Sequence, residues 1–146
     1  MPPVLILLER LADGDLDAFR ARARAIAERY AAGFLHHVRF SPGVVMASIR
    51  TPTLPPATTT NCLLIGEDRL WIVDPATPHA EEQERLFALI DDLAADGRPP
   101  AGILVTHHHQ DHVGAVVVTS RRYGLRVRAH PLTLDRLDGD FARGEP

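Results

Sequence analysis

Lysine is absent from this 146-residue sequence, and cysteine occurs only once. All 16 basic residues are arginine, a bias that codon usage in a GC-rich genome explains. One thiol, Cys62, excludes an intrachain disulfide and suits a reducing cytosol, so a cytoplasmic location is expected. Long apolar runs are missing as well. Stretches such as Val4 to Leu8 are far too short to cross a bilayer. The start MPPVLILLERL has neither a basic region before its apolar stretch nor a small-residue cleavage site after it, so no secretory leader is expected. A strong charge of either sign is lacking. The net charge of −3 offers no general attraction to nucleic acid or to an anionic membrane. Apolar residues at 45% and charged residues at 24% are ordinary for a globular chain of about one domain.

What is present is unevenly arranged. Residues 51–100 hold nine acids against Arg69, Arg85 and Arg98, while the flanking thirds lean basic. Residues 1–37 read as a helical segment. Asp13 or Asp15 can cap a helix in which Leu16, Phe19, Ala23, Ile26 and Tyr30 recur at three- and four-residue steps, and Gly33 can end it. Its Arg20, Arg22, Arg24 and Arg29 suggest an RNA face or a solvated surface; Asp17 and Glu28 interrupt them and favour the second. From Val38 the pattern turns to strands, opening a domain over 38–146. Val44 to Ile49 is rich in β-branched residues, and Cys62 to Ile65 with Leu70 to Val73 predicts an antiparallel hairpin. Neither run alternates cleanly, so both faces need covering.

Thr77 to Asp96 is the clearest helix. Thr77 can cap it, Pro78 fits its first position, and Leu86, Leu89, Ile90 and Leu93 make one apolar stripe ended by Gly97. Ile103 to Val105 reads as a short strand. Val113 to Tyr123 is ambiguous between strand and helix, and Leu125 to Ala129 is strand-like. This order predicts an α/β fold with helices layered on a sheet.

His107, His108, His109, Asp111 and His112 fall within six residues, directly after a buried-looking strand. In an extended loop, side chains two apart point the same way, so His107 and His109 can meet one ion. Asp111 and His112, where the chain turns into the next helix, can aim at a second. Imidazole and carboxylate suit zinc, and iron or manganese accept the same donors. Two ions about 3.5–4 Å apart can share a hydroxide, and a metal brings the pKa of bound water to about 7. The bland alternative is a solvated loop in which Asp111 merely caps a helix. His108 and Gln110 have the wrong phase for ligands.

THHHQDHVGA resembles the H-x-H-x-D-H signature of the metallo-β-lactamase superfamily, with His107, His109, Asp111 and His112 at its defining positions. TTTNCLLIG followed by LWIVDPA is similar to that fold's early hairpin, which ends in an aspartate, here Asp74. The resemblance runs from about Thr58 to Leu137 and is strongest to the branch of glyoxalase II and β-lactamase-like protein 2. It implies an αβ/βα sandwich, truncated here to the first sheet with its flanking helices. It further implies zinc on His107 and His109, a second ion on Asp111 and His112, proton transfer by Asp111, and hydrogen bonds from Asp74 that hold the ligand loop. As a lone aspartate after a strand, Asp74 equally fits a turn.

In the family a third histidine, a bridging aspartate and a last histidine come later in the chain, and this sequence reaches Pro146 before any such segment. His130 follows the signature too closely and reads as a strand-end residue. His36, His37 or His79 could complete a metal site within one chain or across a dimer. A truncated sandwich would leave an apolar sheet face bare, which predicts a homo-oligomer through that face or a fragment of a longer protein. The leading expectation is a metal-dependent hydrolase of a small-molecule ester, thioester, lactone, amide or phosphodiester. The alternatives are a catalytically inactive metal-binding or interaction module and, against the acidic middle third, a nuclease.

Overall fold

A computed structural model describes residues 16–144, and the chain divides between Phe34 and Leu35 into two compact units. The first unit holds helix α1, Leu16–Ala31. Gly33 adopts φ +93° and donates to the Tyr30 carbonyl, and Phe34 donates to that of Arg29, so glycine ends the helix as expected. Arg29 lies over the Phe34 ring, and Arg20, Arg22, Arg24 and Arg29 are all exposed. The expected caps Asp13 and Asp15 lie outside the described residues.

In the second unit, β1 (His37–Ser41), β2 (Val44–Arg50), β3 (Thr59–Ile65) and β4 (Leu70–Val73) form an antiparallel meander. Helix α2 (Ala80–Ala95) then returns the chain to β5 (Pro100–Leu104), parallel to β4. Two short helices, α3 (Gln110–Val113) and α4 (Val116–Tyr123), lead to β6 (Val127–Arg128), parallel to β5, and α5 (Pro131–Leu134) follows. The six strands lie in sequential order in one sheet. The predicted hairpin is present, with Leu64 opposite Ile72.

Alternation along the strands builds the core on one side. Val45, Ala47, Ile49, Cys62, Leu64, Leu70, Ile72, Ile103 and Val127 are buried, and so is the expected α2 stripe of Leu86, Leu89, Ile90 and Leu93. Each valine, leucine or isoleucine among them contributes about 1.5–3 kcal/mol by leaving water. Helix α2 begins at Ala80 with His79 as its N-cap residue, two positions later than Thr77 implied. Thr77 instead accepts a hydrogen bond from the His79 amide and is itself buried. Glu82 is buried too, but its carboxylate accepts from the Arg50 amide and from Arg85, so the charge is satisfied.

The ambiguous stretch after the histidines is helical. Its valines favour strand, yet Gly124 at φ +64° closes α4 through a bond to the Ser120 carbonyl, and β6 must be reached by a crossover. Tertiary context overrides the local preference.

The other side of the sheet is open. Register places Val38, Met46, Leu63, Val73 and Leu104 in one cross-strand row that ends at Arg128. Val38 and Phe40 are 51% and 56% exposed, and Ile65 and Leu104 are exposed as well. Trp71 lies across Gly102, where an added Cβ would meet its ring at 2.4 Å, and Arg128 stacks over the indole. The bare apolar face expected from the sequence is therefore present.

Candidate metal centre

Because β4 and β5 are parallel neighbours with Val73 beside Leu104, Asp74 and the histidine loop leave the sheet together at its carboxyl end. The Asp74 amide donates to the Leu104 carbonyl at 3.0 Å. Asp74 is buried, only 4% exposed, and adopts φ +49°. This left-handed conformation costs an ordinary L-residue about 1–2 kcal/mol, and aspartate is among the few that tolerate it. Three hydrogen bonds offset that cost. Oδ1 accepts from the Thr106 amide at 2.8 Å, and Oδ2 accepts from the Thr106 hydroxyl at 2.6 Å and from His112 Nδ1 at 2.9 Å.

These bonds set the protons of two imidazoles. An ionised carboxylate only accepts, so His112 carries its proton on Nδ1. The Thr106 hydroxyl spends its proton on Asp74, so at 2.9 Å its oxygen accepts from Nδ1 of His107. Both rings are left with a lone pair on Nε2, the form in which imidazole binds a metal. His107 lies with its ring centroid 4.1 Å from that of His112 and 4.7 Å from that of His109. Asp74, His107 and His112 each offer a ligand atom within 4.8 Å of the other two.

The second half of the cluster starts α3. His109 is its N-cap residue in extended conformation, and its carbonyl accepts from the His112 amide at 2.9 Å. Asp111 Oδ2 lies 4.0 Å from His112 Nε2. A hydrogen bond from Thr53 is the main cause holding the Asp111 carboxyl below the usual range; partial burial opposes it, and His112 and His109 add to it. Burial, then repulsion from His112 and His109, lowers the pKa of His107. Beneath the site, burial and then the Asp74 charge push the Cys62 thiol far above its ordinary value, so Cys62 packs as an apolar residue.

Gly114 fixes where α3 ends. Its amide donates to the Ala76 carbonyl at 3.1 Å, and that of Ala115 to the Pro75 carbonyl at 2.8 Å. A Cβ at Gly114 would lie 2.6 Å from both Ala76 O and Pro78 N. The histidine loop is thus clamped to the loop that follows β4.

All four histidine-loop positions singled out in the sequence reach this end of the sheet, and Asp74 is buried among their partners, not an exposed turn residue. Among the described residues His107 and His112 group with Asp74, and the His109 ring lies beside that of His107. His130 does not end a strand. It is the N-cap residue of α5, and its Nδ1 accepts from the Leu132 amide. His36, His37 and His79 stand outside the Asp74 group. Thr53, Thr106 and Gly114 were not anticipated. A threonine directly before the histidines and a glycine two positions after His112 are the signals available. Lone-paired imidazoles beside ionised carboxylates suit a divalent cation, so the residues present fit one.

The model of the metallo-β-lactamase superfamily matches residues 55–145. A hydroxyacylglutathione hydrolase from a Bradyrhizobium strain is 42% identical over 76 residues, covering 50% of this chain and 30% of that protein. Another from Acidiphilium cryptum is 29% identical over 92 residues, covering 60% and 38% respectively. The chain therefore spans well under half the length of these curated relatives. Among solved structures, the metallo-β-lactamase FIM-1 from Pseudomonas aeruginosa in its mono-zinc form has a TM-score of 0.56 at 18% identity, over 77% of this chain and 49% of that one. A metallo-β-lactamase from Pontibacter korlensis has a TM-score of 0.55 at 21% identity, over 68% and 45%. At such identities the likeness is one of fold.

Proposed function

This chain belongs to the metallo-β-lactamase superfamily, and from that premise we propose that it carries the metal-binding loop of a hydrolase acting on a small-molecule thioester or ester. His107 and His109 hold a first divalent cation, and Asp111 and His112 hold a second. Zinc is the leading choice; iron and manganese accept the same mixed donors. Asp74 serves as the anchor. With three hydrogen bonds on its two oxygens it orients the rings that bind the cation. That network is the observation that carries the reading, since a solvated histidine loop has no use for a buried carboxylate that leaves two Nε2 atoms bare.

A bound cation supplies Lewis acidity and brings the pKa of water to about 7. The chain's own contribution is positional and protonic. Asp111, ionised at neutral pH and steadied by Thr53, orients the attacking water and takes its proton. The names of the curated relatives support a hydroxyacylglutathione-like thioester; lactone, amide and phosphodiester are the wider class. The low net charge disfavours nucleic acid. The open sheet face supports association with a second copy of the chain.

Metal analysis after gentle purification, paired with thioester hydrolysis, tests this. The expected result is stoichiometric zinc and turnover that is lost in His109→Ala. Substoichiometric metal with no turnover on thioesters or phosphodiesters would replace the hydrolase with a noncatalytic metal-binding module.

A further inference from the structure

Beside the histidine loop lies a pocket of about 440 Å³, within the size range of small-molecule sites. Its lining includes Val116 and Val117 of α4 as apolar residues, together with His108, His109, Arg136 and Asp138. The Arg136 guanidinium donates from Nη1 to His108 Nε2 at 3.2 Å, which steadies it over the pocket and leaves its other N–H groups for a ligand. Elsewhere in this unit Arg39, Arg50, Arg85, Arg121, Arg122 and Arg143 pair with carboxylates, whereas Arg69, Arg98, Arg126 and Arg128 pair with none of the described ones, but none of those four lines this pocket. Among the described residues, Arg136 forms no ion pair with an acid. Asp138, two positions on and lining the same pocket, forms none with an arginine.

A cation and an anion that share one pocket without neutralising each other are the complement of a zwitterion. We propose that this pocket holds the α-amino-acid end of the substrate, its carboxylate on Arg136 and its ammonium on Asp138. His108 positions Arg136, and Val116 and Val117 take the methylene chain. His109 belongs both to this pocket and to the histidine cluster, 4.7 Å from His107 between ring centroids. A molecule anchored here by one end therefore presents its remainder to the ligand loop. The inference rests on the hydrolase reading for the word substrate, but the pocket's chemistry is testable without turnover.

The probe is reduced glutathione, whose γ-glutamyl end carries a free α-carboxylate and α-ammonium. It is titrated into the full metal-free chain while NMR follows the methyls of Val116 and Val117 and the Nε–H of Arg136. Saturable shifts at those three residues are expected, with affinity about tenfold weaker in Arg136→Gln and in Asp138→Asn and intermediate in Arg136→Lys. Glutaryl-cysteinyl-glycine, which lacks the ammonium, should bind the wild type about tenfold more weakly and lose its sensitivity to Asp138→Asn. Unchanged affinity in both charge variants, or shifts confined to other residues, would overturn the proposal. Binding here without hydrolysis removes the catalytic reading and leaves the pocket standing. Zinc-dependent thioester hydrolysis with a KM unmoved by Arg136→Gln does the reverse.

Discussion

The hydroxyl of Thr106 lies 2.6 Å from Asp74 Oδ2, although 32 positions separate the two residues in the chain. The same oxygen accepts from His107 on its other side, so one buried carboxylate governs two imidazoles, His112 directly and His107 through Thr106. Partners of this kind around metal ligands typically account for 10–100-fold in affinity.

Asp74→Asn keeps the size and the tolerance for left-handed backbone but replaces one acceptor with a donor. We expect zinc affinity to fall about 10–100-fold with secondary structure retained. Thr106→Val should lose less, because His112 keeps its bond, and Thr106→Ser should restore most of it. Chelator-competition titrations with circular dichroism check this; unchanged affinity in Asp74→Asn would remove the anchoring role.

Gly114→Ala should destabilise the chain by about 1–3 kcal/mol, since its Cβ would meet backbone atoms of Ala76 and Pro78 rather than a yielding side chain. The loss should appear in urea denaturation, along with broadened His112 resonances. Gly124→Ala offers a control of different origin, with open space around its Cβ but φ +64°.

His107 should make the metal-free chain sensitive to mild acid. Its pKa lies below the ordinary 6.5 in the fold, so the unfolded chain binds the proton first. Its contribution to stability is complete above pH 6.5 and is lost as pH falls through the folded value. Unfolding midpoints measured from neutral pH downward should decline below 6.5, and His107→Asn should flatten that decline. A wild-type curve that is level through this window would contradict the sign.

The open face should drive self-association. Sedimentation velocity across a concentration series is expected to show dimer or larger species, and the double variant Val38→Thr, Phe40→Ser should shift the chain toward monomer without lowering its unfolding midpoint. A wild-type chain that stays monomeric throughout would count against it.

Much of this was legible from residues alone, because periodicity reports burial. The hairpin, the Leu86–Leu93 stripe and the bare face were readable, and the histidine spacing marked the loop that gathers beside Asp74. Two kinds of feature escaped. Helix boundaries shifted where burial and local bonds compete: Thr77 is buried and accepts from the His79 amide, and the valines of α4 gave way to a glycine cap and a crossover. Long-range partners were invisible in principle. Nothing local in Thr53 says that it meets Asp111, and nothing local in His108 says that it meets Arg136.

The two hairpin turns, Pro42–Gly43 and the 66–69 link, lie at the end of the sheet opposite Asp74. One rim of this molecule gathers the histidines and Asp74, and at the other the chain reverses twice. A spectroscopic label or an inserted peptide at exposed Asp68 should therefore ride on the protein without disturbing cation uptake, which makes that distant corner the natural handle for experiments on the loop.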